Sequence, residues 1–332
     1  MRTIVQTAIA AALLCATSLL PAPSSQAQTN PKEVAARVEL HAFPSLTLSD
    51  QQFLNGDTSG KPVTMTGELR IAQGTGRLPV VVLMHGSGGI GANIEPWTKK
   101  FNAMGVSTFT IDGFTGRGLT AVNTDQASLG RLNFILDIYG ALGLLAKHPR
   151  VDPERIVLMG FSRGGQAALY ASLTRFNKLW NKSGVQFAAY IPFYPDCATS
   201  YAGEADIADR PIRIFHGMPD DYNPVANCKP YIQRLRDAGR DVALTEYPDA
   251  QHGFDTPLNV GAVIVSTGAQ TVRGCKIREG DGGVLLNVST SQPFSYKDDC
   301  VQLNPHVGGN AEATAAARIA VSDFVRQVFK LE

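Results

Sequence analysis

The sequence lacks an excess of charge of either sign, since 30 lysine and arginine residues balance 29 aspartate and glutamate residues. A chain with this balance offers no strongly basic surface for a phosphate backbone, so we expect no nucleic-acid partner. It also lacks a Cys-x-x-Cys pair and a Gly-Lys-Ser/Thr sequence, which disfavours a zinc ribbon and a P-loop. We therefore predict neither a metal nor an organic cofactor.

No proline- or serine-rich linker, charged block or repeat divides the chain, so we predict a single domain over residues 28–332. One long apolar run does occur, over residues 4–20. Arg2 precedes it, and Ser25-Gln26-Ala27 supplies the small residues of a cleavage site, which indicates a signal peptide over residues 1–27. We expect an exported protein, periplasmic or extracellular, with no membrane attachment after cleavage.

Cysteine is scarce, with five residues in the chain. Cys15 lies in the apolar run after a leucine, whereas a lipoprotein signal normally has a small residue there, so we do not expect lipidation. The other four are an even number in an exported protein, which favours disulfides over metal ligation. Three pairings are open, and one pair could stay reduced. The simplest pairing joins neighbours along the chain, Cys197 with Cys228 and Cys275 with Cys300.

Apolar, β-branched segments recur along the chain with helical segments between them. Residues 129–143 carry apolar side chains at helical spacing, and residues 311–331 form an amphipathic helix. Strands that alternate with helices favour an α/β fold with a mostly parallel central sheet flanked by helices. The predicted strands are Val63 to Ile71, Leu78 to Met84, Val106 to Ile111, Arg155 to Met159, Val185 to Ile191, Pro211 to Phe215 and Val242 to Tyr247.

Residues 256–309 do not continue this alternation and are too many for an ordinary connection. They contain strand-like segments at 262–266, 271–278 and 284–288, with a glycine-rich turn at 279–283. We predict an irregular β insertion, braced by a disulfide, that is a candidate lid over the functional site.

The segment Gly160-Phe161-Ser162-Arg163-Gly164 has the pattern Gly-x-Ser-x-Gly and stands between an apolar strand and a helix. In this context a sharp turn holds the serine at the carboxyl end of the sheet, where it acts as a nucleophile. The pattern alone is a weak signal because glycine and serine are common. The flanking strand and helix make Ser162 the candidate nucleophile.

A serine hydroxyl needs a histidine to take its proton and a carboxylate to orient that histidine. In this architecture the acid and then the histidine follow the serine, each after a later strand. Of the six histidines, His252 alone has that order and context. Asp220 and Asp221 are both candidates for the acid. The remaining histidines lie in irregular terminal segments (His41, His306), in a helix-ending turn (His148), or before a glycine at a strand end, where the ring commonly serves as a strut (His85, His216).

A second glycine-rich loop, His85-Gly86-Ser87-Gly88-Gly89, follows a predicted strand. Such a loop leaves backbone N–H groups free to stabilise an oxyanion. We predict an oxyanion hole formed by the N–H groups of Ser87 and Arg163. A phosphate-binding loop is the alternative, but the glycine spacing matches that motif only loosely.

Together these segments resemble the dienelactone hydrolase family of α/β-hydrolases, over residues 60–255 and the final helix. The resemblance implies an α/β-hydrolase fold and hydrolysis of ester bonds without a cofactor. In that family the acid stands four residues before a proline, which selects Asp220 over Asp221. The resemblance is carried by His85 to Gly89, Asp112-Gly113-Phe114-Thr115-Gly116-Arg117-Gly118, Gly160 to Gly165, and the pair formed by Asp220 to Pro224 and His252-Gly253-Phe254.

The chain departs from the namesake enzymes, which are cytoplasmic and use a cysteine nucleophile. With Ser162 and an export signal it is similar to a secreted serine branch of the family, so the dienelactone substrate is not carried over. Cys197 and Cys228 resemble a pair that in secreted members tethers the acid loop to a neighbouring strand end. Arg117 is a candidate for binding a substrate carboxylate, and the alternative is an internal ion pair with Asp112.

The sequence therefore predicts an exported serine hydrolase that cleaves carboxylic esters or lactones through an acyl-enzyme, with Ser162, Asp220 and His252 as its triad. A small-molecule ester is the expected partner, while its acyl and alcohol parts and the oligomeric state stay open. Two alternatives remain. One is a peptidase of the prolyl-oligopeptidase type, which shares the triad order. The other is a catalytically silent binding protein on the same fold.

Overall fold

The computed structural model describes residues 31–331. The seven helices of this part of the chain are α1 (Asp50–Asn55), α2 (Ile94–Ala103), α3 (Asn133–Leu145), α4 (Arg163–Tyr170), α5 (Thr174–Trp180), α6 (Val225–Asp237) and α7 (Ala311–Phe329). Its strands are β1 (Arg37–Thr47), β2 (Lys61–Ile71), β3 (Leu78–Met84), β4 (Ser107–Asp112), β5 (Val151–Phe161), β6 (Ala189–Phe193), β7 (Thr199–Ser200), β8 (Ile212–Gly217), β9 (Val242–Tyr247), β10 (Ile264–Val265), β11 (Gln270–Thr271), β12 (Ile277–Glu279), β13 (Leu285–Asn287), β14 (Gln302–Leu303) and β15 (His306–Val307).

A central sheet of eight strands organises the molecule, in the order β1-β2-β4-β3-β5-β6-β8-β9. The pairs β1–β2 and β2–β4 are antiparallel, and every later pair from β4–β3 to β8–β9 is parallel. The carboxyl ends of the parallel strands therefore meet at one edge, where the loops that follow them come together. The predicted mostly parallel α/β sheet is confirmed.

Side chains of the central strands alternate between two apolar cores, one on each face of the sheet. On β3, Val80 and Val82 point into the core that contains α3 and α6, whereas Val81 and Leu83 point into the core that contains α2 and α7. All four are fully buried. This explains why the strand is a continuous apolar run, as expected for a parallel sheet covered on both faces.

The edge strand β1 was not predicted. It pairs with β2 over its whole length, from Arg37 opposite Ile71 to Thr47 opposite Lys61. Its charged residues and Pro44 mask the strand pattern, but proline is tolerated on an edge strand because one row of N–H groups has no ladder partner. His41 consequently lies in a strand and not in an irregular segment.

Residues 256–309 form four short two- or three-residue ladders outside the main sheet. Three of them, β10–β15, β11–β14 and β12–β13, join strands within the insertion. The fourth pairs β12 with β7, outside the insertion. Disulfides link Cys197 to Cys228 and Cys275 to Cys300, which confirms the nearest-neighbour pairing. Disulfides persist in oxidising compartments and indicate a protein outside the cytoplasm.

Among residues 31–331, no helix is both long and apolar enough to cross a membrane. The predicted signal peptide over residues 1–27 lies outside the described residues.

Candidate active site

Ser162 stands at the turn between β5 and α4, with backbone angles φ 56° and ψ −117°. A non-glycine residue in this region is strained by about 1–3 kcal/mol, and the surrounding packing must impose it. Gly160 and Gly164 make that packing feasible, because a Cβ on either would collide with backbone atoms of Gly164 or Met84, respectively. The glycines of the motif thus serve close chain approach, while the positive φ falls on Ser162 itself.

The structure brings Ser162, His252 and Asp220 together. Nε2 of His252 lies 2.9 Å from Oγ of Ser162, and Nδ1 lies 2.8 Å from Oδ2 of Asp220. Asp220 is buried, and its other carboxylate oxygen accepts the backbone N–H groups of Tyr222 at 2.9 Å and Asn223 at 2.8 Å. With Nδ1–H donated to the carboxylate, Nε2 can accept a proton from the serine.

Two aromatic rings hold the imidazole of His252. Tyr222 stacks on it, with ring centroids 4.6 Å apart, and Tyr194 meets its edge at 4.7 Å. Tyr194 is fixed in turn, because its hydroxyl donates to Asp255 at 2.6 Å. These contacts exclude water from the ring and leave Nε2 directed at Ser162.

The neighbouring carboxylate of Asp221 has a different environment. It accepts hydrogen bonds from Arg273 at 2.5 Å and from the backbone N–H of His306 at 2.7 Å, and it also contacts the ring of His306. Asp221 therefore links the insertion to the loop that contains Asp220. The position selected by the family resemblance, Asp220, is the one that contacts His252.

The predicted oxyanion-hole residues border the same cleft as Ser162. Arg163 is the first residue of α4, so its N–H has no partner within the helix. Ser87 lies in the loop after β3, and Gly86 of that loop approaches Ser162 so closely that an added Cβ would lie 3.2 Å from the serine Cβ. Both predicted donors thus flank Ser162.

His85 fastens this loop, in agreement with the strut predicted for it. Its Nδ1–H donates to the carbonyl of Gly86 at 2.7 Å, and its Nε2 accepts the N–H of Gly113 at 2.9 Å. Burial lowers the pKa of His85 to about 4, against smaller opposing effects of Gly86 and Asp112. The ring therefore stays neutral at neutral pH and keeps Nε2 as an acceptor.

The side chain of Arg163 lies buried beside the cleft and is held by neutral groups. It donates to Gln126 at 2.8 Å and to the carbonyl of Leu129, and Gln126 also contacts the hydroxyl of Ser87 at 3.1 Å. Burial lowers the pKa of Arg163, and the nearby cation Arg131 lowers it further. This network, which the sequence did not reveal, links the side chains of Ser87 and Arg163, the two residues predicted to form the oxyanion hole.

The insertion supplies one wall of the cleft, through Gln270, Thr271, Val272 and Tyr296. The cavity over Ser162 has a volume of about 30 Å³. A single water needs roughly 10–15 Å³ on this measure, so the cavity admits only small groups.

Several polar contacts fix that wall in place. Arg131 donates to the hydroxyl of Tyr296 at 2.6 Å, and Thr271 donates to the carbonyl of Tyr222 at 2.5 Å. Farther out, Arg175 makes a bidentate pair with Glu279 at 2.7 and 2.8 Å. The insertion (residues 256–309), called the cap below, is thus attached to the rest of the molecule on several sides.

Arg117 does not face this cleft, and its predicted role in binding substrate is wrong. Its guanidinium is buried and makes a bidentate ion pair with Asp137, at 2.7 and 2.9 Å, while also donating to the carbonyls of Gly113 and Leu46. The alternative pairing with Asp112 is also wrong, because Asp112 accepts backbone N–H groups of its own loop.

One group of side chains among residues 31–331 has the spacing of metal ligands. The ligand atoms of Glu39, His41 and His148 lie within 4.8 Å of one another. However, Nδ1 of His148 accepts the N–H of Arg150, which leaves the proton on Nε2, where it donates to Glu39 at 3.0 Å. The group is therefore a hydrogen-bonded cluster at the edge of the sheet.

The amino-acid sequence matches one known protein family. Residues 65–270, more than half of the chain, match the model of the dienelactone hydrolase family. The chain belongs to the dienelactone hydrolase family. This membership confirms the resemblance found in the sequence and places the chain among ester-hydrolysing enzymes.

Individual relatives of this dienelactone hydrolase family member are distant. Acyl-protein thioesterase 1 of Gibberella zeae is 34% identical over 102 residues, which are 31% of this chain and 43% of that protein, so the chain spans less than half of it. A Synechocystis protein provisionally named carboxymethylenebutenolidase is 22% identical over 202 residues, 57% of this chain and 81% of that protein.

A solved structure shares the fold. It is a dienelactone hydrolase-like promiscuous phosphotriesterase from metagenomic libraries, with a TM-score of 0.55 and 16% identity, covering 88% of this chain and 98% of that chain. At this identity the likeness shows the fold alone.

Proposed function

We propose that this protein is an exported serine esterase that hydrolyses small carboxylic esters or lactones through an acyl-enzyme. The observation that carries the proposal is one imidazole, His252, within hydrogen-bond distance of both the hydroxyl of Ser162 and the carboxylate of Asp220. Nucleophile, base and orienting acid are thereby present in the geometry that acyl transfer requires.

In the proposed reaction, Oγ of Ser162 attacks the ester carbonyl carbon while its proton passes to Nε2 of His252. The carbonyl oxygen becomes an oxyanion, which the N–H groups of Ser87 and Arg163 stabilise. The imidazolium returns the proton to the leaving alcohol, and the acyl group stays on Ser162. A water activated by the same nitrogen then hydrolyses the acyl-enzyme. Asp220 stays ionised throughout and stabilises the imidazolium.

The size of the cavity supports a substrate with a short acyl group. Its volume of about 30 Å³ is bounded on one side by the cap, which favours a short acyl group beside Ser162. We therefore propose that a series of esters shows falling kcat/KM as the acyl chain lengthens beyond a few carbons.

Export is supported by the two disulfides, which require an oxidising compartment, and by the signal-like sequence of residues 1–27. Detection of the mature chain without these residues in a periplasmic or culture fraction would test this part of the proposal.

The central test is Ser162→Ala with a chromogenic acetate ester. Turnover should fall by at least about a thousandfold, because the acyl-enzyme can no longer form. A fluorophosphonate probe should add covalently to Ser162 in the native protein, as read by intact mass, and should not add to the variant.

Ser200→Ala is the matched control, since this serine is exposed at β7 and does not border the cleft. It should keep both turnover and labelling. Full turnover in Ser162→Ala, or no labelling of the folded native protein, would refute the esterase mechanism and favour a binding role.

A further inference from the structure

A second, larger cavity lies on a different part of the molecule. It is a groove of about 920 Å³ between β1, α3 and α5, and it shares no lining residue with the cleft around Ser162. Its size falls within the range of ligand pockets of roughly 300–1,000 Å³.

The groove has an apolar floor. Phe43 of β1 and Tyr139 of α3 are buried in it, Leu136 and Leu144 of α3 are partly buried, and Trp180 of α5 closes the far side. The strip of α3 from Leu136 to Leu144 extends about 12 Å along the helix. This gives the groove an apolar surface for part of a long hydrocarbon chain.

Glycine in α3 keeps the groove open. Gly143 faces it, and a Cβ built there would meet one neighbour, the Cβ of Ser183, at an ordinary 3.7 Å. Glycine inside a helix is less favourable than alanine, so helix formation is not the reason for this residue. An added Cβ meets no backbone atom, and a larger side chain would extend into the groove.

The rim of the groove is cationic. Lys147, Lys178 and Lys182 line it at the carboxyl ends of α3 and α5, and none of them takes part in an ion pair of residues 31–331. The described residues that line the groove include no aspartate or glutamate. An apolar trough with cations on its rim is complementary to a hydrocarbon chain with a terminal carboxylate.

We propose that this groove binds one long-chain fatty acid anion, with its tail along α3 and its carboxylate among the three lysines. The assignment does not depend on the esterase mechanism, because the groove and the cleft are separate. Basic residues at helix ends also offset the helix dipole, and the experiment separates that role from ligand binding.

Trp180 provides the readout. The chain has two tryptophans, and the other, Trp97, is buried in the core on the opposite face of the sheet. Dibromostearate below its micellar concentration should quench the fluorescence of Trp180 saturably. Trp180→Phe should remove this quenching. Shortening the unbrominated competitor should weaken displacement about fourfold per methylene.

Two variants test the groove. Gly143→Leu should weaken dibromostearate binding about tenfold or more by filling the trough. The triple change Lys147→Gln, Lys178→Gln and Lys182→Gln should weaken it about three- to tenfold, and added salt should reduce the difference. Both should keep the native thermal midpoint within a few degrees and the native turnover of an acetate ester.

The proposal fails if quenching is unchanged in both variants, or if a cationic amphiphile of equal chain length binds as well as the anion. It also fails if the protein sediments with phosphatidylglycerol vesicles but free dibromostearate does not quench, since the lysines would then bind a membrane surface. If Gly143→Leu does not fold, the lysine variant decides, because its three positions are exposed. Unchanged affinity there would leave the lysines a role at the helix dipoles only.

Discussion

The central sheet and the cap over its carboxyl edge hold their residues by different means. Strands β3 and β6 are almost wholly buried, as is the second half of β5 (residues 156–161), which Ser162 follows directly. In the cap (residues 256–309) the strands have two or three residues, and large apolar side chains such as Leu258 and Val263 are exposed. Apolar burial therefore positions Ser162, whereas hydrogen bonds and ion pairs position the wall of the cleft.

The largest expected effect contrasts two adjacent carboxylates, one serving each region. Asp220→Asn should lower kcat for an acetate ester about ten-thousandfold, because an amide neither fixes the tautomer of His252 nor stabilises its cation. Asp221→Asn should lower kcat by less than about fivefold, since Asp221 contacts only Arg273 and His306 of the cap. Steady-state kinetics of the two variants would check this.

Thermal midpoints of both variants provide the control, because a loss of kcat in an unfolded protein carries no information. Comparable losses of kcat in folded Asp220→Asn and Asp221→Asn would show that the cap takes part in the chemistry, and the distinction between the regions would have to be given up.

The next contrast compares two bidentate ion pairs. Arg117 and Asp137 are buried beneath β1, with side chains 2% and 0% exposed, whereas Arg175, which holds Glu279 of the cap, is 33% exposed. Arg117→Met should lower the free energy of unfolding by about 3–5 kcal/mol, because Asp137 is left as an uncompensated buried charge. Arg175→Met should lower it less, by about 1–2 kcal/mol, because Glu279, although only 6% exposed, still accepts the N–H of Ala202 and the ion pair is open to solvent on the Arg175 side.

Urea unfolding of both variants measures the two values. An equal loss for Arg117→Met and Arg175→Met would mean that the cap contributes as much to global stability as the sheet does. If KM rises more in Arg175→Met than in Arg117→Met while kcat is unchanged, the cap contributes to substrate binding.

The sequence was sufficient to predict seven of the eight strands of the central sheet, all but β1, and the three converging side chains. Leu78–Met84 was predicted with the bounds that the structure has, because a buried parallel strand is a continuous apolar run. Val242–Tyr247 was also predicted with the right bounds, although this edge strand is only partly buried. Ser162, Asp220 and His252 each follow a predicted strand, so local sequence indicated their position. The choice of Asp220 over Asp221 required the family, since the two are adjacent and chemically alike.

What the sequence did not reveal depends on contacts between distant segments. Gln126 links Ser87 to Arg163 across gaps of 39 and 37 residues, and no local pattern marks it. Arg117 was assigned to the cleft from its place after a strand, but Asp137, 20 residues later, pairs with it in the core. Tyr222 had one available signal, its place between Asp220 and Pro224.

Lowering the pH provides a finer contrast. His85, beside the central sheet, and Asp221, which holds the cap, become protonated in different pH ranges. The pKa of His85 is lowered from 6.5 to about 4 by burial, so the unfolded chain binds a proton that the folded protein excludes between these values. Stability should thus fall as pH drops from about 6.5 to about 4, by about 3 kcal/mol from this residue. His85→Gln, which keeps an acceptor for Gly113 but does not titrate, should remove that part of the slope in urea unfolding.

The cap should respond only in stronger acid. Burial alone would raise the pKa of Asp221, but the hydrogen bonds from His306 and the charge of Arg273 lower it. Its contribution is therefore fully present above the ordinary carboxylate range and is lost as pH falls through the lowered value. Limited proteolysis within residues 256–309 should therefore stay slow at about pH 4, where the contribution of His85 to stability has been lost, and should accelerate at lower pH. Cleavage of the cap before the sheet loses stability would reverse this order and show that its polar fastenings are the weaker link already in mild acid.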